Sequence, residues 1–200
     1  MPRINSEYRE DAKKKILNAA LLVGETKGLE TVTLEEISQK IGVTKSALYA
    51  YFENRDALMR ELIIEIFSRY QSEVKDALAD DPDIPIMLKR LENVLFAGKI
   101  QYASLFAQII KLNILNDPLL KEIFSDITQH SSIVEKQIAH LQEQGRLQNN
   151  GNPDEIVSSV MALAIGLNVL SNLKGWDLNK IRQIWENSSQ LIVCHPSDGK

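Results

Sequence analysis

The sequence predicts an all-α fold: an N-terminal three-helix domain with a helix-turn-helix, then a C-terminal helical bundle, about nine helices in total. Three observations predict it. Apolar residues recur at helical rather than alternating spacing along nearly the whole chain. Between Thr33 and Phe52, two short helices joined by a glycine turn can be read residue by residue. The composition is 44% hydrophobic but only 6% aromatic, with nine glycines and six prolines in 200 residues, which suits a helix-rich chain large enough to bury a core.

The first helix is expected over 7–27, with Ile16, Ala19, Ala20 and Val23 on one face and Gly28 ending it. Thr33 then caps a second helix and Glu36 completes the capping box, in which each side chain satisfies an amide at the other's end of the turn. Leu34, Ile37 and Ile41 form its buried stripe. Gly42 stops it, because a left-handed residue past the last turn is cheapest without a Cβ. Val43 follows as an apolar plug and Thr44 caps a very short third helix. Such a helix is unstable alone and has to be held against a neighbour. At 100° per residue, Leu48 and Phe52 form the packing side, while Lys45, Ser46, Tyr49 and Ala50 cluster opposite. Lysine, hydroxyl, tyrosine and one small residue suit a DNA major groove: the polar groups reach phosphates or guanine, and alanine lies against a thymine methyl. Two helices in this relation are the geometry of a helix-turn-helix whose second helix reads DNA.

A long fourth helix starts at 54 or 56 and carries Leu58, Leu62, Ile63, Ile66, Phe67 and Tyr70 towards 78. The acidic, proline-punctuated DDPDIP run at 80–85 breaks the chain. A fifth helix is expected over 86–97, a sixth over 104–115 stopping at Asn116–Asp117–Pro118, and a seventh over 119–144 ending at Gly145. After the loop at 148–155, Asn152 as cap, Pro153 at the first helical position and Glu155 at the positive end of the helix dipole open an eighth. Lys174–Gly175–Trp176 ends it, and Asp177 caps a ninth that runs to about 193. The domains divide as 1–53, the DNA-binding head; 54–194, the effector and dimer region; and 195–200, a tail.

The last two helices carry a partner signal. Val160, Leu163, Ala164 and Leu167 make one stripe, and Met161, Ile165, Val169 and Leu170 leave that helix apolar nearly all round. Ile181, Ile184, Trp185, Ser188 and Ile192 give the ninth helix a stripe of its own. Such stripes can be the protomer's own core, but a terminal hairpin with this much apolar surface more often closes against a copy of itself, so a four-helix interface about a two-fold axis, and hence a homodimer, is expected. The uncharged stretch over 156–173 is interrupted by Ser158, Ser159, Gly166, Asn168, Ser171 and Asn172, so a buried helix is expected there rather than a membrane span.

A net charge of −4 hides a division: residues 1–60 hold ten Lys/Arg against nine Asp/Glu, and the acidic excess lies in the remainder. Arg3, Arg9 and Lys13–Lys15 place local positive charge near the start, available to phosphates or simply solvated. A lone Cys194 has no intrachain disulfide partner and the start lacks an apolar leader-like run, so a reducing cytoplasm is the expected compartment. Enzyme chemistry finds no support: His130, His140 and His195 lack metal-ligand spacing, and no HExxH, CxxC, GxSxG or glycine-rich phosphate loop is present. No metal or cofactor is expected.

The segment from Thr33 to Leu58 resembles the DNA-binding domain of the TetR family of one-component regulators. Thr33, Leu34, Ile37, Gly42, Val43, Leu48, Tyr49, Phe52 and Leu58 match its pattern, as do Ile16–Ala19–Ala20, Lys27–Gly28–Leu29 and Thr31–Val32–Thr33 upstream, with Arg55 where the family usually carries lysine. The match covers about the first quarter to third of the chain. Ser38, Ser46 and Ala50 depart from the pattern, and Ala50 removes a possible base contact. The resemblance implies that Thr33, Thr44, Tyr51 and Arg55 fix the register on phosphates and that the two C-terminal helices dimerise. It also implies a pocket for a small effector between bundle helices, for which Phe67, Phe96, Tyr102, Phe106, Ile110, His130 and Trp176 are the candidate lining residues. The expected function is a ligand-responsive repressor that binds an inverted-repeat operator of double-stranded DNA as a dimer. The alternative is a helical interaction scaffold without sequence-specific DNA binding.

Overall fold

The computed structural model describes residues 6–111 and 133–194, which contain nine α-helices and no strand. In order they are α1 (Ser6–Lys27), α2 (Leu34–Ile41), α3 (Lys45–Leu48), α4 (Arg55–Ala77), α5 (Ile84–Glu92), α6 (Tyr102–Lys111), α7 (Ile133–Glu143), α8 (Pro153–Lys174) and α9 (Leu178–Cys194). The caps read from sequence are in place. Thr33 and Glu36 form the reciprocal box, Thr44 accepts from the Ala47 amide, Asn54 caps α4, and Asn152 with Pro153 opens α8. Gly42 sits at φ 71°, ψ 34°, the left-handed conformation that ends α2.

Some boundaries move. The α1–α2 connection holds an unanticipated 3₁₀ turn, Leu29–Thr31, which drops Leu29 into the core. α5 begins two residues before the expected 86, with Asp83 preceding it and Pro85 in its first turn, where a missing amide costs nothing. It passes at Asn93 into a single π-helical turn ending at Ala97. α6 starts at Tyr102 rather than 104. The expected extension of the sixth helix to 115 and the first part of the seventh, 119–132, lie outside the described residues, as do Arg3, His130, His195 and the tail.

One apolar core runs through head and bundle. α1 packs across α2 and α4, and α2 on α3, so Ile16, Ala20, Ile37, Leu48, Phe52 and Leu58 close the head. α4 belongs to both halves: its first turns complete the head and its later turns pack on α5, α6 and α7. A second link joins them, as the Leu29 amide donates to Gln108 Oε1 on α6 at 2.8 Å. In the bundle, α8 packs on α6, α7 and α9, and α9 returns against α5. Trp185 pins that last contact: it is 0% exposed, meets Phe96 edge-on at 5.4 Å, and donates through Nε1 to the Leu88 carbonyl at 3.1 Å. Glu92 is also 0% exposed, held on α5 by Lys89 Nζ at 3.1 Å and by Arg182 Nε of α9 at 2.8 Å. By length and composition alone α8 is apolar enough to cross a bilayer. In the fold one face of it, Ile156, Val157, Val160, Ala164 and Leu167, belongs to the core.

Candidate nucleic-acid interface and effector cavity

The head presents the surface that the helical angles anticipate. Leu48 and Phe52 are buried, while Thr44, Lys45, Ser46, Tyr49 and Ala50 are exposed together, Tyr49 at 50%. The reading helix is a single turn, Lys45–Leu48, continued as a turn in which the Tyr51 and Phe52 amides both bond the Leu48 carbonyl. The capping threonines have backbone tasks. Thr44 Oγ1 accepts from the Ala47 amide at 3.3 Å, and Thr33 Oγ1 accepts from the Glu36 amide at 3.2 Å while donating to Glu36 Oε2 at 3.1 Å. The Lys27 ammonium, then the Thr33 hydroxyl, hold the Glu36 carboxyl below its ordinary range.

Two residues expected at phosphates have partners within the protein. Arg55 has turned inward to the connection: its Nε donates to the Val32 carbonyl at 2.7 Å, and one terminal nitrogen to those of Glu30 at 2.9 Å and Leu29 at 3.3 Å. It pins the 3₁₀ turn to the start of α4, because that turn leaves carbonyls which no helix satisfies. Tyr51 is half-buried against the core, beside Ile16, Ala19 and Leu48, away from the Lys45–Tyr49 face. In the basic run, Lys13 is bound to Glu61 at 2.8 Å and stands 5.5 Å over the Phe52 ring, whereas Lys14 and Lys15 are exposed. Arg9, expected within the positive cluster near the start, lies beside the reading turn. Its guanidinium reaches the Ala50 carbonyl at 3.4 Å and so sets a cation beside the end of the reading turn.

The stripe expected to meet a second copy divides. Val160, Ala164, Leu167, Ile181 and Trp185 are buried in the protomer's own core, with Ala164 and Trp185 at 0% exposure, and are closed to a partner. Leu163, Ile184, Ser188 and Ile192 are half-buried. The uncovered apolar side chains are Val169, Leu170 and Leu173 on α8 and Leu178 and Leu191 on α9, with Leu173 at 77% exposure. On α8, Ala162, Gly166, Val169 and Leu173 share one face by helical spacing, and a Cβ built on Gly166 meets nothing within 4 Å.

Between α4, α5, α7 and α8 lies a cavity of about 300 Å³. Phe67, Tyr70, Val74, Leu91, Leu95, Val157, Val160 and Met161 form its apolar wall, with Gln71, Glu135, Asp154 and Ser158 as polar members. Of the candidate lining residues, Phe67 alone among those described is on this wall. Phe106 stacks behind it, ring centroids 5.0 Å apart. Tyr102 is buried and donates to Glu73 Oε1 at 2.8 Å; burial, reinforced by that carboxylate, pushes its phenol far up. Phe96 belongs to the Trp185 contact, Ile110 is exposed, and Trp176 lies under the Lys174 ammonium at 5.2 Å. The residue missed was Tyr70, assigned to the fourth-helix stripe: burial pushes its phenol up to about 12, and its hydroxyl meets Met161 Sδ at 3.6 Å.

A helix-turn-helix head with an exposed Lys-Ser-Tyr face, continuous through α4 with a bundle that encloses a cavity, defines a DNA-binding transcriptional regulator. Residues 16–62 match the family model for bacterial regulatory proteins, tetR family. The transcriptional repressor KstR of Mycobacterium tuberculosis is 27% identical over 183 residues, 86% of this chain and 74% of that protein. A solved TetR/AcrR family member superposes with a TM-score of 0.75 at 21% identity, covering 92% of this chain and 99% of that one. A chain from Saccharomonospora viridis, solved in complex with choline, gives 0.74 at 20% identity over 89% and 95%. At such identities the two structures speak for the fold alone. The head thus matches the tetR family model, and the chain as a whole shares the fold of solved TetR/AcrR regulators.

Proposed function

We propose that the protein is a ligand-responsive repressor that binds an inverted-repeat operator as a cytoplasmic homodimer. The observation that carries this reading is the split face of α3: Leu48 is buried while Lys45, Ser46, Tyr49 and Ala50 stand exposed on a turn held by two caps and a left-handed glycine. The exposed leucines of α8 and α9 support a two-fold partner, because uncovered apolar surface on a terminal hairpin is removed from water by a second copy. Two heads on a two-fold axis require two inverted half-sites.

The cavity supports the effector role through α4. Phe67, Tyr70, Gln71 and Val74 of its wall lie on the helix whose first turns complete the head. A ligand that fits one setting of α4 better than another shifts the head separation, and only by that difference in affinity. Tyr49→Ala is expected to abolish operator binding in a gel-shift assay while the circular dichroism melt is unchanged. Lys45→Ala is expected to lower the salt slope of binding by about one if it neutralises one phosphate. Undiminished binding by the tyrosine variant would return the protein to the scaffold alternative.

A further inference from the structure

We propose that the cavity admits uncharged, largely apolar molecules bearing one hydrogen-bond acceptor, which the Tyr70 hydroxyl holds, and that it turns away anions. This rests on the reading of the cavity as the effector site and goes on to its ligand class.

The wall is made of aromatic and aliphatic side chains from four helices, so most of a ligand's surface would meet hydrocarbon. Among the described residues the hydrogen-bond partner of Tyr70 is the Met161 thioether at 3.6 Å, a weak acceptor. A phenol so placed gains by donating to a carbonyl or ether oxygen instead, and the unbranched Met161 side chain can turn aside for it. The phenol stays protonated at neutral pH, its ionisation pushed up to about 12 by burial, so it remains a donor. Its ring is fixed edge-on against Tyr102 at 5.3 Å and Phe106 at 5.1 Å, which sets the hydroxyl's position before a ligand arrives.

Charge decides the rest. The charged side chains of the described lining are Glu135 and Asp154, both acids. An ion of either sign entering would lose its hydration in an apolar cavity. A cation gains little in return. Asp154 is exposed and sits in the first turn of α8, where the helix dipole already offsets part of its charge. A neutral acceptor has no such hydration penalty and finds a donor in place.

The test is isothermal titration calorimetry of the full chain with three probes of similar tail and different head: methyl heptyl ketone, octanoate and octyltrimethylammonium. The ketone is expected to bind tightest, with Tyr70→Phe weakening it roughly threefold to tenfold, the worth of one neutral hydrogen bond. Tyr70→Phe keeps the packed ring, so its melt should match the parent chain. Tighter binding of octanoate or the ammonium would overturn the ligand class while leaving the cavity as the effector site. Equal ketone affinity of parent and Tyr70→Phe would overturn the assignment to Tyr70. If no probe bound, the effector reading of the cavity would fall, and this inference with it.

Discussion

Arg55 shows how one side chain can be right in position and different in task. The family resemblance implied a phosphate contact for it, yet its guanidinium holds three carbonyls of the 29–32 connection. Periodicity cannot reveal that, because the partners are backbone atoms of a turn that no pattern announces. Arg55→Ala is therefore expected to lower the stability of the head by about 1–2 kcal/mol in urea unfolding and to leave the salt slope of DNA binding near that of the parent. A slope reduced by about one with unchanged stability would restore the phosphate role. Glu36 carries the pH dependence of the same region. Its folded-state carboxyl is held below the ordinary value of 4.5, so its share of stability is fully present above 4.5 and lost as pH falls through the lower folded value. Glu36→Gln should melt earlier than the parent at neutral pH, and the two melting curves should converge as pH drops below 4.5. A gap that persists in acid would mean that the box owes nothing to the charge.

The elements most legible in the sequence are those fixed by local chemistry. α2 and α3 could be read from caps, one glycine and a split face because each of those is satisfied within a few residues. α8 could be read from Asn152, Pro153 and Gly175 for the same reason. What escaped depends on contacts distant in sequence: the 3₁₀ turn tied to Gln108, the π-helical turn after Glu92, and which stripe of α8 faces inward. The α5–α9 contact is of this kind. Glu92 lies buried between Lys89 and Arg182, ninety residues apart in the case of Arg182. Removing the carboxylate leaves two cations facing each other at a closed contact, so Glu92→Ala should cost about 2–3 kcal/mol in denaturant unfolding. A loss below about 0.5 kcal/mol would place the strength of this contact in Trp185 instead.

At the scale of the molecule, α4 joins the α3 turn to the cavity, and α8 and α9 present exposed apolar side chains. The fold class and the head were legible from sequence, because helical periodicity and capping persist whatever the tertiary contacts. The cavity wall was not: Phe67 and Tyr70 occupy the same stripe, and only packing decides which of them carries a polar group into the cavity. The proposed homodimer is tested on that exposed apolar face. Leu173→Glu, at a position 77% exposed, should leave the helical content intact, convert the dimer to a monomer in sedimentation velocity, and weaken operator binding steeply. A dimer that survives this change would move the interface elsewhere.

The most direct measurement of the central claim is selection of binding sites by the purified protein from a random duplex DNA library at near-physiological salt. One inverted-repeat site is expected to be enriched, protected over both half-sites and lost with Tyr49→Ala. Recovery of unrelated sequences by a folded dimer, or of a single site that Tyr49→Ala binds equally well, would contradict it.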